Sequence, residues 1–256
     1  MFKKITASVL AILTMNGFAY AQEATSQGNA TNFILIDYGF NLSADSEVND
    51  SAVFGNDEDA GETSLRIQGS VIDDTDGFIG IGIGHRYANN LGAVLRYETG
   101  EMESGTLDLE IAPGSAIEAA TIDNAFTTDV DSFFLEGAYF MPYSERIELW
   151  GLVGIGQAEV TTSTSSLTMT IAGETGSLIG VCSSSEDNTA TRFGVGATYY
   201  LSQTQGFYGG VTISNYGDAS FKVYDDDNDV CTNAKDTLTL DDIEATDLRI
   251  GYFRSF

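Results

Sequence analysis

The chain has 256 residues, 43% of them hydrophobic, and a formal charge of −27 from 38 acidic against 11 basic residues. Such a surface repels phosphates and excludes nucleic acid as a partner. The 28 glycines, 12 tyrosines and 15 phenylalanines, with only 2 prolines, point to many strands rather than to disorder, and 2 cysteines are too few for a disulfide-built miniprotein.

At the start of the chain Lys3 and Lys4 precede an apolar run from Ile5 to Phe18. Ala19-Tyr20-Ala21 then supplies the small-x-small pattern that signal peptidase cuts. Residues 1–21 are read as a cleaved signal peptide, 22–31 as a short periplasmic lead-in and 32–256 as one domain. No later stretch has the roughly 20 apolar residues of a membrane helix. A sheet can span a bilayer only by closing on itself.

Segments of about ten residues with period-two alternation, the length that crosses a bilayer as a tilted strand, fall near 32–42, 78–87, 91–100, 131–141, 147–159, 190–201, 206–216 and 245–256. In the clearest, Ile79, Ile81, Ile83 and Tyr87 share one face while Gly80, Gly82, Gly84 and Arg86 share the other. A small-residue face opposite an apolar one suits a narrow lumen inside and lipid outside. Three connections are tight, at Ala88-Asn89-Asn90, at Pro142 to Arg146 and at Ser202 to Gln205; four are long and acidic, near 43–77, 101–130, 160–189 and 217–244. The pattern predicts an all-β, transmembrane, antiparallel up-and-down barrel of eight strands, with short periplasmic turns, long extracellular loops and both termini in the periplasm. Alternation within Thr63–Ile72 and Leu167–Ile171 reads as strands rising above the membrane; the alternative is an extra pair, giving ten strands.

Leu248, Ile250, Tyr252 and Phe256 alternate toward the terminal Phe, interrupted only by Arg254. They resemble the C-terminal signal read by the barrel-assembly machinery. With the Gly-rich strands, the His85-Arg86-Tyr87 and Asn89-Asn90-Leu91-Gly92 turn and the closing LRIGYFRSF, the chain resembles the OmpA-type family of small outer-membrane barrels. That resemblance implies residence in the outer membrane. No peptidoglycan-binding domain is expected, since no segment follows the last strand.

Parity then sends Asp37, Glu98, Glu136 and Glu148 into the interior, together with Arg86, Arg96, Arg192 and Arg249. Four acids balance four bases. An unpaired buried charge costs roughly 3–5 kcal/mol, and an eight-stranded barrel is just wide enough for side chains to fill. The expectation is a salt-bridged, closed lumen, with a charged constriction for small ions as the sharper alternative.

The remaining candidates are weaker. His85, the only histidine, shares the lipid face near a periplasmic turn, with no Ser or carboxylate on its strand placed to activate it. Cys182 and Cys231 fall in the third and fourth long loops and are expected to form a disulfide outside the cytoplasm. Asp225, Asp227, Asp229 and Asp236 have calcium-loop spacing but lack the Gly at the sixth position and the final Glu. No cofactor is expected apart from Ca²⁺ or Mg²⁺ held by the acidic loops. Expected partners are outer-membrane lipid and lipopolysaccharide, the assembly machinery, and an extracellular partner that the sequence does not name. The functional expectation is a non-enzymatic barrel serving a structural or surface-interaction role (adhesion or recognition). A narrow porin and a lipid-modifying enzyme are the alternatives.

Overall fold

The computed structural model describes residues 31–54, 63–70, 72–104, 107–111, 120–122, 127–163, 167–171, 174–182, 184–224 and 236–256. The expected signal peptide lies outside the described residues. So do Asp225, Asp227, Asp229 and Cys231, and with them the expected metal set and disulfide; nothing of the Cys182 or Asp236 side chains is described.

Eight strands form the barrel: β1 (Thr31–Phe54), β3 (Ile72–Arg86), β4 (Leu91–Ser104), β7 (Thr127–Pro142), β8 (Ile147–Ser163), β11 (Ser184–Ser202), β12 (Gln205–Asn215) and β14 (Asp236–Ser255). Each is hydrogen-bonded antiparallel to the next in that order, and β14 returns to pair with β1, from Phe33↔Ser255 up to Val48↔Leu240. Closure leaves these strands no unpaired edge, the condition for a sheet in lipid. All eight expected strands are present, and each barrel strand except β12 is longer than the sequence suggested.

The extra alternating segments lie outside the closed eight, so the barrel does not have ten strands. Six short strands rise at the long-loop end: β2 (Thr63–Ser70), β5 (Leu107–Ile111), β6 (Ala120–Ile122), β9 (Leu167–Ile171), β10 (Glu174–Cys182) and β13 (Ala219–Tyr224). β2 pairs with the upper half of β1, and β5 and β6 continue from it. β13 pairs with the upper half of β14, and β10 and β9 follow.

The opposite end has only tight turns. At the first, Tyr87 donates its N–H to the Leu91 carbonyl at 2.8 Å. Asn90 there takes a φ of 66°, in the left-handed region that asparagine tolerates better than most residues. Pro142, which has no N–H to offer the ladder, sits at the very end of β7.

Burial is inverted relative to a soluble protein. Ile79, Leu135 and Val153 are 56%, 59% and 60% exposed on the outer wall, while Glu98 and Arg249 are 0% and 1% exposed inside. Only an apolar solvent makes that arrangement favourable, because each apolar side chain left in water forgoes about 1.5–3 kcal/mol. The expected two faces of β3 are those observed: Gly80, Gly82 and Gly84 are buried, and Ile79 and Ile83 point outward.

Candidate functional site

Inside the barrel the side chains stack in four layers. Nearest the tight turns is an ion pair. Arg86 donates from Nη1 to Glu148 Oε1 at 2.9 Å and places Nη2 2.7 Å from Oε2, while Tyr200 donates to the same carboxylate at 2.8 Å. The Arg86 guanidinium also lies over the Phe140 ring. Above this pair is an apolar layer of Phe33, Leu35 and Val94 on one side and Ala138, Trp150 and Leu152 on the other, joined by Phe140 and Tyr208.

The third layer is a closed ring of six alternating charges. Asp37 is bridged to Arg96, and Arg96 donates from Nε to Glu136 at 2.9 Å. The same Glu136 oxygen takes Arg192 Nη1 at 3.3 Å, and Arg192 pairs with Glu98. Arg249 places Nη2 2.7 Å from Glu98 and donates from Nη1 to Asp37 at 2.9 Å, which completes the ring. Five strands contribute: β1, β4, β7, β11 and β14. Neutral donors and acceptors serve the guanidiniums and carboxylates that the ring leaves short. Ser214 and Thr212 accept from the Nε atoms of Arg192 and Arg249, Tyr208 donates to Asp37, and Tyr216 donates to Glu98 at 2.9 Å. Gly80 makes room for this assembly, since a Cβ there would lie 2.6 Å from Asp37 Oδ1.

The fourth layer, toward the long loops, is apolar again. Phe78 stacks on Tyr216 with ring centroids 5.6 Å apart, and Met102, Val130, Phe134 and Ile243 are fully buried around them. Phe134 also supports the Arg192 guanidinium from 4.0 Å.

The structure thus brings six of the eight sequence-predicted lumen residues into one ring and sets Arg86 and Glu148 apart as a separate pair. The expected balance of four acids and four bases needs correction. Asp247 is a fifth interior acid, 0% exposed and accepting from Arg249 Nη2 at 3.1 Å. Its signal was present, since it precedes Arg249 by two and shares that residue's parity. Tyr208 and Tyr216 carry the same signal, sharing the inward parity of Thr212 and Ser214.

His85 lies on the outer wall, where Nδ1 is 2.8 Å from Asn32 Oδ1 and its ring meets Tyr87 edge-on. Of the C-terminal residues, Leu248, Ile250 and Phe256 project outward at 37%, 52% and 69% exposure, and Tyr252 donates to Gln205 at 2.7 Å. Among the described residues no group of three His, Cys, Asp or Glu side chains is placed to hold a metal ion.

No family model matches the chain, and no curated protein does. Solved structures do. The outer membrane protein OprG from Pseudomonas aeruginosa is similar with a TM-score of 0.52 at 13% identity, over 91% of this chain and 99% of that one. Neisserial surface protein A is similar at a TM-score of 0.45 and 11% identity, over 89% and 99% of the two chains. A major outer membrane protein from Thermus thermophilus gives 0.47 and 13%, over 89% and 100%. At these identities the likeness speaks to the fold alone. The chain has the closed, eight-stranded antiparallel barrel fold of small outer-membrane proteins.

Proposed function

We propose that this protein resides in the outer membrane as a closed, non-catalytic barrel of OmpA type and acts through its long loops, in surface recognition, adhesion or envelope integrity. One observation carries the reading: the six-charge ring is covered by an apolar layer on each side. Ions crossing the lumen would have to shed their water in the Phe33–Trp150 layer and again in the Phe78–Tyr216 layer, between which every ring charge already has an opposite partner. Dewetted constrictions are barriers to conduction.

In this reading the signal peptide exports the chain, and Leu248, Ile250, Tyr252 and Phe256 are read by the assembly machinery. The short turns face the periplasm and the strands β2, β5, β6, β9, β10 and β13 stand outside the cell. The acidic loops associate with lipopolysaccharide through bridging Ca²⁺ or Mg²⁺, and present their surface to an extracellular partner.

The test is conductance of the refolded mature protein in planar lipid bilayers, as wild type and as Glu136→Gln. Silence in both supports the closed barrel. Steady channels whose conductance changes with Glu136 would replace this reading with a charge-lined narrow porin.

A further inference from the structure

The six-membered ring is electrically neutral, with Asp37, Glu98 and Glu136 against Arg96, Arg192 and Arg249. Asp247 hangs from it as a seventh charge. Its neighbour Arg249 is already shared between Asp37 and Glu98, so the layer holds one negative charge in excess among the described residues.

Three independent features meet at that carboxylate. Asp247 is completely buried, and its Oδ1 has no hydrogen-bond partner among the described residues. Asn41 is its direct cross-strand partner on β1, on the same inward face, and both the oxygen and the nitrogen of the Asn41 amide are buried and unpartnered among the described residues. The two side chains face each other without a hydrogen bond. Immediately beyond them β1 bulges, the register passing from Asn41↔Asp247 to Ser43↔Thr246, and a bulge leaves ladder groups unpaired. Buried polar atoms are almost always satisfied, so two unsatisfied oxygens and an unsatisfied amide nitrogen beside an excess charge point to a ligand. Glu136 Oε2 is also unpartnered, but its companion oxygen already receives two guanidiniums.

We propose that Asp247 and Asn41 bind a monovalent alkali cation, Na⁺ or K⁺, at the loop end of the charged ring. Asp247 Oδ1 supplies the counter-charge and Asn41 Oδ1 a neutral oxygen. One charge matches the imbalance, whereas a divalent ion would leave the layer positive. The site is structural. It completes the neutrality of the plug at the seam where the last strand meets the first.

Thermal unfolding of the refolded protein in detergent micelles tests this, in NaCl, KCl and N-methyl-D-glucamine chloride at equal ionic strength. The expected midpoint is about 3–6 °C higher in the alkali salt that fits, as for a ligand bound only by the native state. Asp247→Asn, which keeps the shape and deletes the charge, should abolish the difference and raise the midpoint in the organic salt. Asn41→Ala should reduce the difference, and it carries the comparison alone if Asp247→Asn fails to refold. Equal midpoints in all three salts would overturn the proposal, as would a cation response that survives both substitutions. A midpoint that follows pH rather than cation, with the pH response lost in Asp247→Asn, would overturn it in favour of a bound proton.

Discussion

Arg249, on the last strand of the barrel, donates a 2.9 Å hydrogen bond to Asp37 on the first, across the β1–β14 seam that closes the sheet. Residues 212 positions apart in the chain thereby become one ion pair, and the ring of six charges cannot be completed until the barrel has closed. Its electrostatic contribution is therefore specific to the closed state.

Arg249→Met should for that reason be far more damaging than its single bond to Asp37 suggests. It strands Asp37, Glu98 and Asp247 in an apolar interior with fewer guanidiniums to share. The expected loss is about 3–5 kcal/mol, as for breaking a buried pair by removing one partner, read from urea unfolding in lipid vesicles. A loss under about 1 kcal/mol, the level of an exposed pair, would show that water reaches the layer.

Gly80→Val tests the steric basis of the ring. The added side chain would enter the space of Asp37 Oδ1, 2.6 Å from the Cβ position, and force either that carboxylate or the backbone to shift. Overpacking of this kind costs about 1–3 kcal/mol. Ile79→Val, one residue away and facing outward at 56% exposure, should stay close to wild type in the same unfolding measurement.

Leu135→Arg probes what surrounds the wall. Leu135 is 59% exposed, and in a water-soluble barrel the change would be harmless. In a bilayer the expected penalty is about 2–4 kcal/mol if the position lies near the midplane. Comparing unfolding in vesicles with Thr198→Ser, an inward substitution, separates the lipid effect from general fragility.

Removal of Phe256 should separate folding from delivery. The residue is 69% exposed on the outer wall and is anchored by its N–H to the Asn32 carbonyl at 2.9 Å. Refolding in detergent should be nearly unchanged, because little is buried there. The amount assembled in the outer membrane of cells should fall several-fold if the terminal Phe is read by the assembly machinery; equal amounts would remove that role.

Phe78→Ala should cost about 3–5 kcal/mol, as for other fully buried phenylalanines. The stack on Tyr216 at 5.6 Å is lost and the layer above the ring is thinned. Conductance should remain absent, because the Phe33–Trp150 layer still closes the turn end.

The sequence by itself determined the strands, their alternation and which wall each side chain faces. A period of two is a local property of the backbone, and Ile79-Gly80-Ile81-Gly82-Ile83-Gly84 states it without help from any distant residue. The inward direction of Asp37, Arg96, Glu98, Glu136, Arg192 and Arg249 was legible for the same reason, and that of Asp247 would have been. What the tertiary structure alone decided is who meets whom. Parity gives a direction but no height, and the height of a side chain in the lumen depends on strand tilt and on the stagger accumulated around eight pairings. Arg86 and Glu148 sit near the turns by their place in the chain, at the end of β3 and the start of β8, but only that stagger pairs them, and only it brings Arg192 of β11 and Tyr216, just past the end of β12, to the Glu98 carboxylate of β4. The assignment of Thr63–Ser70 to a strand beyond the barrel rather than within it belongs to the same category. Closure of β14 onto β1, a contact between opposite ends of the chain, settled the count at eight.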